Sequence, residues 1–184
     1  MRDGSTQLVI LETERLVLRD PKDDDVGAWT AMLGHPDVSR FLRHSTRPEV
    51  VAHIRTVRRR HAIDGFGLLA VVRKDDSRVV GRAGLLVWDR RTWTPTTLRG
   101  AGDHAEIEIG WALAPEFWGR GYATEAGAAS RDYALEELGR PRVISLIAHY
   151  NERSVNVAEK LGLAYERDVE THRGEVVQLF SLED

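Results

Sequence analysis

The residues best placed to do chemistry lie between Glu106 and Ala126, in the run Glu106-Ile107-Glu108-Ile109-Gly110-Trp111-Ala112-Leu113-Ala114-Pro115-Glu116-Phe117-Trp118-Gly119-Arg120-Gly121-Tyr122-Ala123-Thr124-Glu125-Ala126. A strand pattern runs here into a turn held by Gly119 and Gly121, and the turn opens a helix. Glycines at those positions let backbone N–H groups approach a ligand without side-chain obstruction. The helix adds its unsatisfied first-turn N–H groups and the positive end of its dipole. Together they make an anion cradle suited to phosphate. A bare Gly-x-Gly describes a tight strand-to-helix turn equally well, so context has to decide. A dinucleotide fingerprint would want a third glycine where Thr124 stands, and a Walker loop would need a Gly-Lys-Ser/Thr that the chain lacks.

Glu108 sits among Ile107, Ile109 and Trp111, so alternation puts it on one strand face with Glu106 and Gly110. A carboxylate there could take a proton from an incoming ammonium if burial raises its pKa toward neutrality; it could equally be a solvent-facing or salt-bridged glutamate. Asn151 precedes a helix, where asparagine is a preferred N-cap. Ser154, one turn on, could cap or pack. The histidines show no close ligand spacing such as His-x-x-x-His, which argues against a metal site. Arg58-Arg59-Arg60 reads as a solvated helix face. Trp93 and Trp111 could line an acceptor pocket, whereas Trp88 reads as core or edge packing.

These residues need a scaffold, and the chain offers one α/β domain spanning residues 1–184. At 184 residues and 42% hydrophobic content it can bury one good core. Its formal charge of −3, with both signs interspersed, gives no field for drawing in nucleic acid. The run Leu8-Val9-Ile10-Leu11 is far too short for a signal-peptide core, and no segment has the length to span a bilayer, so the expected location is the cytoplasm. The absence of cysteine excludes an acyl-cysteine intermediate. Periodicity predicts strands over 14–19, 67–73, 78–88, 105–113, 143–148, 163–167 and 175–182. It predicts helices over 23–33, 48–61, 121–138 and 152–161. The order is β-α-α-β-β-β-α-β-α-β-β, a mixed sheet of about seven strands flanked by about four helices. The 90–103 connection, with Trp93, Pro95, Gly100 and Gly102, is longer than most loops in a compact domain and is expected to be either disordered or functional.

At this point the sequence resembles the GCN5-related N-acetyltransferases (GNAT), and within them the RimJ/RimL-type branch. Four ordered blocks carry the resemblance: Glu14-Arg15-Leu16-Val17-Leu18-Arg19, Glu108-Ile109-Gly110-Trp111, Pro115 through Ala126, and Asn151-Glu152-Arg153-Ser154 with Glu159-Lys160-Leu161-Gly162. The resemblance implies a sheet whose fourth and fifth strands splay to admit acetyl-CoA. It implies a pyrophosphate held at Gly119, Arg120, Gly121, Tyr122, Ala123 and Thr124, with a pantetheine arm along Trp111 and Leu113 and against Asn151. Leu113 N–H would polarise the thioester carbonyl, Glu108 would be the base, and Ser154 or water the acid.

The chain departs from the family pattern twice. Trp118 replaces the superfamily's Gln or Arg ahead of the turn, as RimJ/RimL-type members commonly have it. Ala158 stands where many members carry an acidic tyrosine. The implied activity is transfer of acetyl to a protein N-terminus or a small-molecule amine, with no metal, nucleic acid or membrane involved and with room for a homodimer. Two other readings remain open: a non-catalytic acyl-CoA sensor on the same fold, and a succinyl-CoA-dependent enzyme if a basic side chain from the 90–103 loop reaches the acyl pocket.

Overall fold

The computed structural model describes residues 9–183. Leu8 of the early apolar run, the rest of residues 1–8, and Asp184 lie outside the described residues. Strands β1 (Ile10–Glu12), β2 (Leu16–Arg19), β3 (Leu68–Arg73), β4 (Val79–Asp89), β5 (Thr94–Thr96), β6 (Ala105–Leu113), β7 (Arg142–Ala148), β8 (Ala164–Glu170) and β9 (Val176–Glu183) form one sheet. Its order is β1-β2-β3-β4-β6-β7-β9-β8, with β5 appended to β4. Every pairing is antiparallel except β6 with β7. The helices are α1 (Val26–Gly34), α2 (Pro36–Ser39), α3 (Arg47–Asp64), α4 (Leu98–Ala101), α5 (Tyr122–Asp132) and α6 (Glu152–Lys160).

The mixed α/β fold is the expected one, enlarged among the described residues to nine strands and six helices. The additions β1, β5, α2 and α4 are each only 3 or 4 residues long, too short to carry a periodic signal. Elsewhere the pattern maps onto structure directly. In β2, Leu16 and Leu18 are fully buried, and Val17 and Arg19 point to the other face. Helix α3 starts with Pro48 in its first turn and with Thr46 N–H donating to Glu49 Oε2 at 2.8 Å. It buries Val50, Ile54, Val57 and His61, and stops at Gly65 in the left-handed region, φ 80°.

Two layers of helices cover the sheet. Helices α1 and α3 lay Trp29, Met32, Val50 and Ile54 against Ala70 and Ala112 on one face. Helices α5 and α6 cover the other, where Ala158 and Leu161 meet Ile107, Ile109 and Val143. Small residues let α5 sit close: a Cβ on Gly127 would come within 2.8 Å of Leu161 Cδ1. Past Asp132 the helix widens into a π turn, closed by Leu138 N–H on Tyr133 O at 3.0 Å, so the α-helix ends before the predicted Leu138.

The 90–103 connection is ordered. It carries β5, and Thr97 caps α4 by accepting Gly100 N–H at 3.2 Å. Helix α3 holds it twice: Arg60 Nη2 donates to Pro95 O at 2.9 Å, and Leu98 N–H donates to Asp64 Oδ1 at 3.0 Å. Trp93 packs against Ile144, Val169 and Leu179. The basic run on α3 is therefore only partly a solvated face, because Arg58 is also engaged, on Pro21 O at 2.7 Å and Asp23 at 2.9 Å.

Candidate active site

Strand β6 positions most of the predicted site. On one side it pairs with β4 along its whole length, and Ala114 N–H donates to Val80 O at 2.9 Å. In an antiparallel pair the bonded residues alternate, so Ala112 and Gly110 also face β4. Trp111 and Leu113 then turn their backbone groups to the opposite side, where β7 should be. The two strands pair only at Glu108↔Ile144. Beyond that rung they separate, leaving the N–H groups of Trp111 and Leu113 and the Trp111 carbonyl without a strand partner. Gly81 sharpens this arrangement from behind: it lies opposite Leu113, and a Cβ there would fall 2.7 Å from Leu113 Cα.

At the fork, side chains replace the missing ladder. Ser145 Oγ donates to Ile109 O at 2.7 Å. Glu108 Oε1 accepts Leu146 N–H at 3.2 Å, and Oε2 accepts Trp88 Nε1–H at 2.6 Å. Glu108 is buried, 8% exposed, on the sheet face covered by α1 and α3. Burial pushes its pKa up to about 7, against the opposing pull of the Trp88 and Leu146 donors and of Arg82. Each carboxylate oxygen still has a free lone-pair direction, so a carboxylate held this way remains able to take a proton at neutral pH. Trp88, a packing residue by its sequence pattern, also holds Glu108 through its indole N–H.

The glycine turn has the geometry of the cradle. Gly119 and Gly121 sit at φ 74° and 80°, and a Cβ on Gly119 would meet open space. The first bond of α5 is Glu125 N–H to Gly121 O at 3.0 Å, so the N–H groups of Tyr122, Ala123 and Thr124 have no carbonyl one turn back. Gly119 and Arg120 are exposed. A side chain from the first block fixes this turn. Arg15 Nη1 donates to Arg120 O at 2.9 Å, Arg15 Nε donates to Glu125 Oε2 at 2.7 Å, and the guanidinium lies 4.6 Å over the Tyr122 ring. Thr13 Oγ1 adds a bond to Glu125 Oε1 at 2.5 Å. Arg15 belonged to a recognised block, but nothing in its spacing pointed at a turn more than a hundred residues away.

Trp118 bridges the two halves of the groove. Its Nε1–H donates to Leu113 O at 2.8 Å, and Arg153 stacks 4.6 Å from its ring. This brings the start of α6 to the edge of β6. There Asn151 Oδ1 accepts Ser154 N–H at 3.3 Å, the N-cap read from the sequence, which leaves the amide nitrogen available. The Ser154 hydroxyl has no hydrogen-bond partner among the described residues. Ala158 is fully buried in the core and supplies no proton.

The parallel pair that splays beside the start of α6 leaves a groove running from the fork to the glycine turn. Comparison with known proteins makes the class specific. Residues 15–164 match the family described as acetyltransferase (GNAT) domain, and the chain belongs to that family, whose members acetylate amines from acetyl-CoA. The chain is 26% identical to the uncharacterized N-acetyltransferase YoaA of Bacillus subtilis, over 85% of this chain and 84% of that one. Among solved structures, an acetyltransferase from Agrobacterium tumefaciens superposes with a TM-score of 0.79 at 24% identity, covering 97% and 96% of the two chains. RimL, a ribosomal L7/L12 alpha-N-protein acetyltransferase in complex with coenzyme A, has the same fold at a TM-score of 0.74 and 14% identity, over 95% and 98%.

Proposed function

We propose that this chain is a cytoplasmic, single-domain N-acetyltransferase that moves acetyl from acetyl-CoA to a primary amine by direct attack, with Glu108 as the base. The observation that carries the reading is the fork itself: a carboxyl with its pKa near neutrality stands where β6 and β7 part, beside the open edge of Trp111 and Leu113. The donor supplies an acyl thioester. The glycine turn, from Gly119 to Thr124, holds its pyrophosphate with backbone N–H groups, and Trp118 backs the turn. Trp111, Leu113 and the free amide of Asn151 hold the pantetheine arm in the manner of an added strand.

Glu108 takes the proton of the ammonium, so that the amine attacks as a free base. Leu113 N–H polarises the carbonyl oxygen. A C–N bond forms as the C–S bond breaks; the departing thiolate takes a proton from the unpartnered Ser154 hydroxyl or from water, and the second proton shed by the acylated nitrogen replaces it. Without cysteine, no acyl-thiol on the protein can intervene. Release of free CoA from acetyl-CoA, followed across an amine panel that includes short peptides with free N-termini, tests the reading. Tight CoA binding without CoA release for any amine would make the chain a sensor. Faster release from succinyl-CoA than from acetyl-CoA would change the donor.

A further inference from the structure

One cation near the fork takes no part in the chemistry above. Arg82 lies on β4 opposite Ala112, on the same face as Glu108. Between them on that face are Gly84 and Gly110, paired with each other, so this rung carries no side chain; Leu86, opposite Glu108, leans over it. The Arg82 guanidinium is tucked under two helices. It lies 5.7 Å from the Trp29 ring of α1 and against His53 Nε2 of α3, its hydrogen-bond partner among the described residues. Two other sheltered arginines are held by carboxylates: Arg19 grips Asp25, and Arg142 is bound by Glu106, Glu166 and Glu183.

His53 adds no charge. Burial first, then Arg82 and Arg60, hold its pKa down to about 3, so it is a neutral acceptor that orients the guanidinium. Burial also lowers Arg82, to about 10, with the Glu108 charge acting the other way. A guanidinium has five N–H donors in a planar fork, and one imidazole nitrogen satisfies only one of them. Sheltered charges are normally paired, and a carboxylate matches the geometry of the fork.

We propose that Arg82, oriented by His53, is the carboxylate-recognition residue of the acceptor site, so that the preferred acceptor is a small amino acid-like molecule carrying a carboxylate near its amine. The inference rests on the acetyltransferase reading and deepens it. The carboxylate docks at Arg82, and the amine is turned toward Glu108. A protein N-terminus has a peptide carbonyl where this site calls for an anion.

Matched pairs of amino acids and their amides test the idea, with kcat/KM measured for the native protein and for Arg82→Gln. Comparing the acid-to-amide ratio between the two proteins cancels the difference in amine basicity. The ratio should fall by about ten- to a hundredfold in Arg82→Gln, the worth of a charge-assisted pair. An unchanged ratio overturns the proposal. So does a loss confined to succinyl-CoA relative to acetyl-CoA, which would put the anion on the donor. Absence of turnover with every amine would defeat the enzymatic reading instead. The recognition claim is then read by titrating CoA-loaded protein with N-acetyl amino acids and their amides, following the fluorescence of tryptophan, one of which, Trp29, adjoins Arg82. Binding of the acid alone, lost in Arg82→Gln, supports the proposal; equal binding of both, or binding of neither, overturns it.

Discussion

The two ends of the groove are built from different materials. At the glycine turn the working groups are backbone N–H donors, the surface is open, and side chains such as Arg15 and Glu125 serve to hold the backbone in place. At the fork the proposed base and carboxylate binder, Glu108 and Arg82, are side chains set between the sheet and α1–α3, and the backbone is the frame that holds them apart. A backbone site tolerates almost any side chain provided the dihedrals survive. A buried side-chain site depends on particular atoms and on the protonation state that burial imposes. The cofactor end should therefore be sensitive to conformation and insensitive to pH, and the acceptor end the reverse.

The largest expected effect is at the fork. Glu108→Gln keeps the shape but has no proton-accepting carboxylate, and turnover at neutral pH should fall by roughly two to four orders of magnitude with acetyl-CoA affinity nearly intact. Near-native turnover from pH 6 to 9 in that variant would place the base elsewhere. The same carboxyl leaves a mark on stability. Its folded pKa is raised, so between the ordinary glutamate range and about pH 7 the folded state holds a proton that the unfolded chain releases. Its contribution is complete at acidic pH and is lost as pH rises through about 7. The melting temperature of the native protein relative to Glu108→Gln should accordingly decline from pH 5 to pH 8, by on the order of 2 kcal/mol in stability.

Next comes the turn. Gly121 sits at φ 80°, and a Cβ there would also meet Arg15 Nη2 at 3.4 Å. Gly121→Val should force the turn out of the left-handed region and weaken CoA binding about ten- to a hundredfold by calorimetry, while the rest of the fold persists. The loss should be the same at pH 6 and pH 9. A folded variant with native CoA affinity would show that the turn is only a connection.

How legible each end was in the sequence follows from the same contrast. Gly119 and Gly121 announced the turn because backbone conformation is written in local residue type, and Asn151 announced its helix for the same reason. Strand alternation put Glu108 beside Gly110. It could not show that Trp88 and the Leu146 N–H would meet that carboxyl, since those contacts join residues 20 and 38 positions away, and only sheet register brings them together. Arg82 and His53 were invisible for that reason, as was Arg15 at the turn. The 90–103 loop stayed open between disorder and function for another reason: its order comes from Arg60, Asp64 and the Ile144–Leu179 patch, tertiary partners that leave no trace in the loop's own composition.

The smallest effect sharpens the contrast most, because it alters the fork without removing any reacting group. Trp88 Nε1–H donates to Glu108 Oε2 at 2.6 Å, and a donor on a carboxylate favours the charged form. Trp88→Phe keeps an aromatic ring in the packed position and deletes the donor. The Glu108 pKa should then climb further above about 7, by about one unit. Because the base must be deprotonated to act, the acidic limb of kcat/KM should move to higher pH by the same amount. Turnover would drop about tenfold at pH 6 and stay close to native at pH 9, where the carboxyl is ionised in both proteins. CoA affinity should not change, since the glycine turn lies at the other end of the groove. A uniform loss at every pH would mean that Trp88 only packs the fork, and an unmoved limb would mean that the ionisation governing the rate belongs to a group other than Glu108.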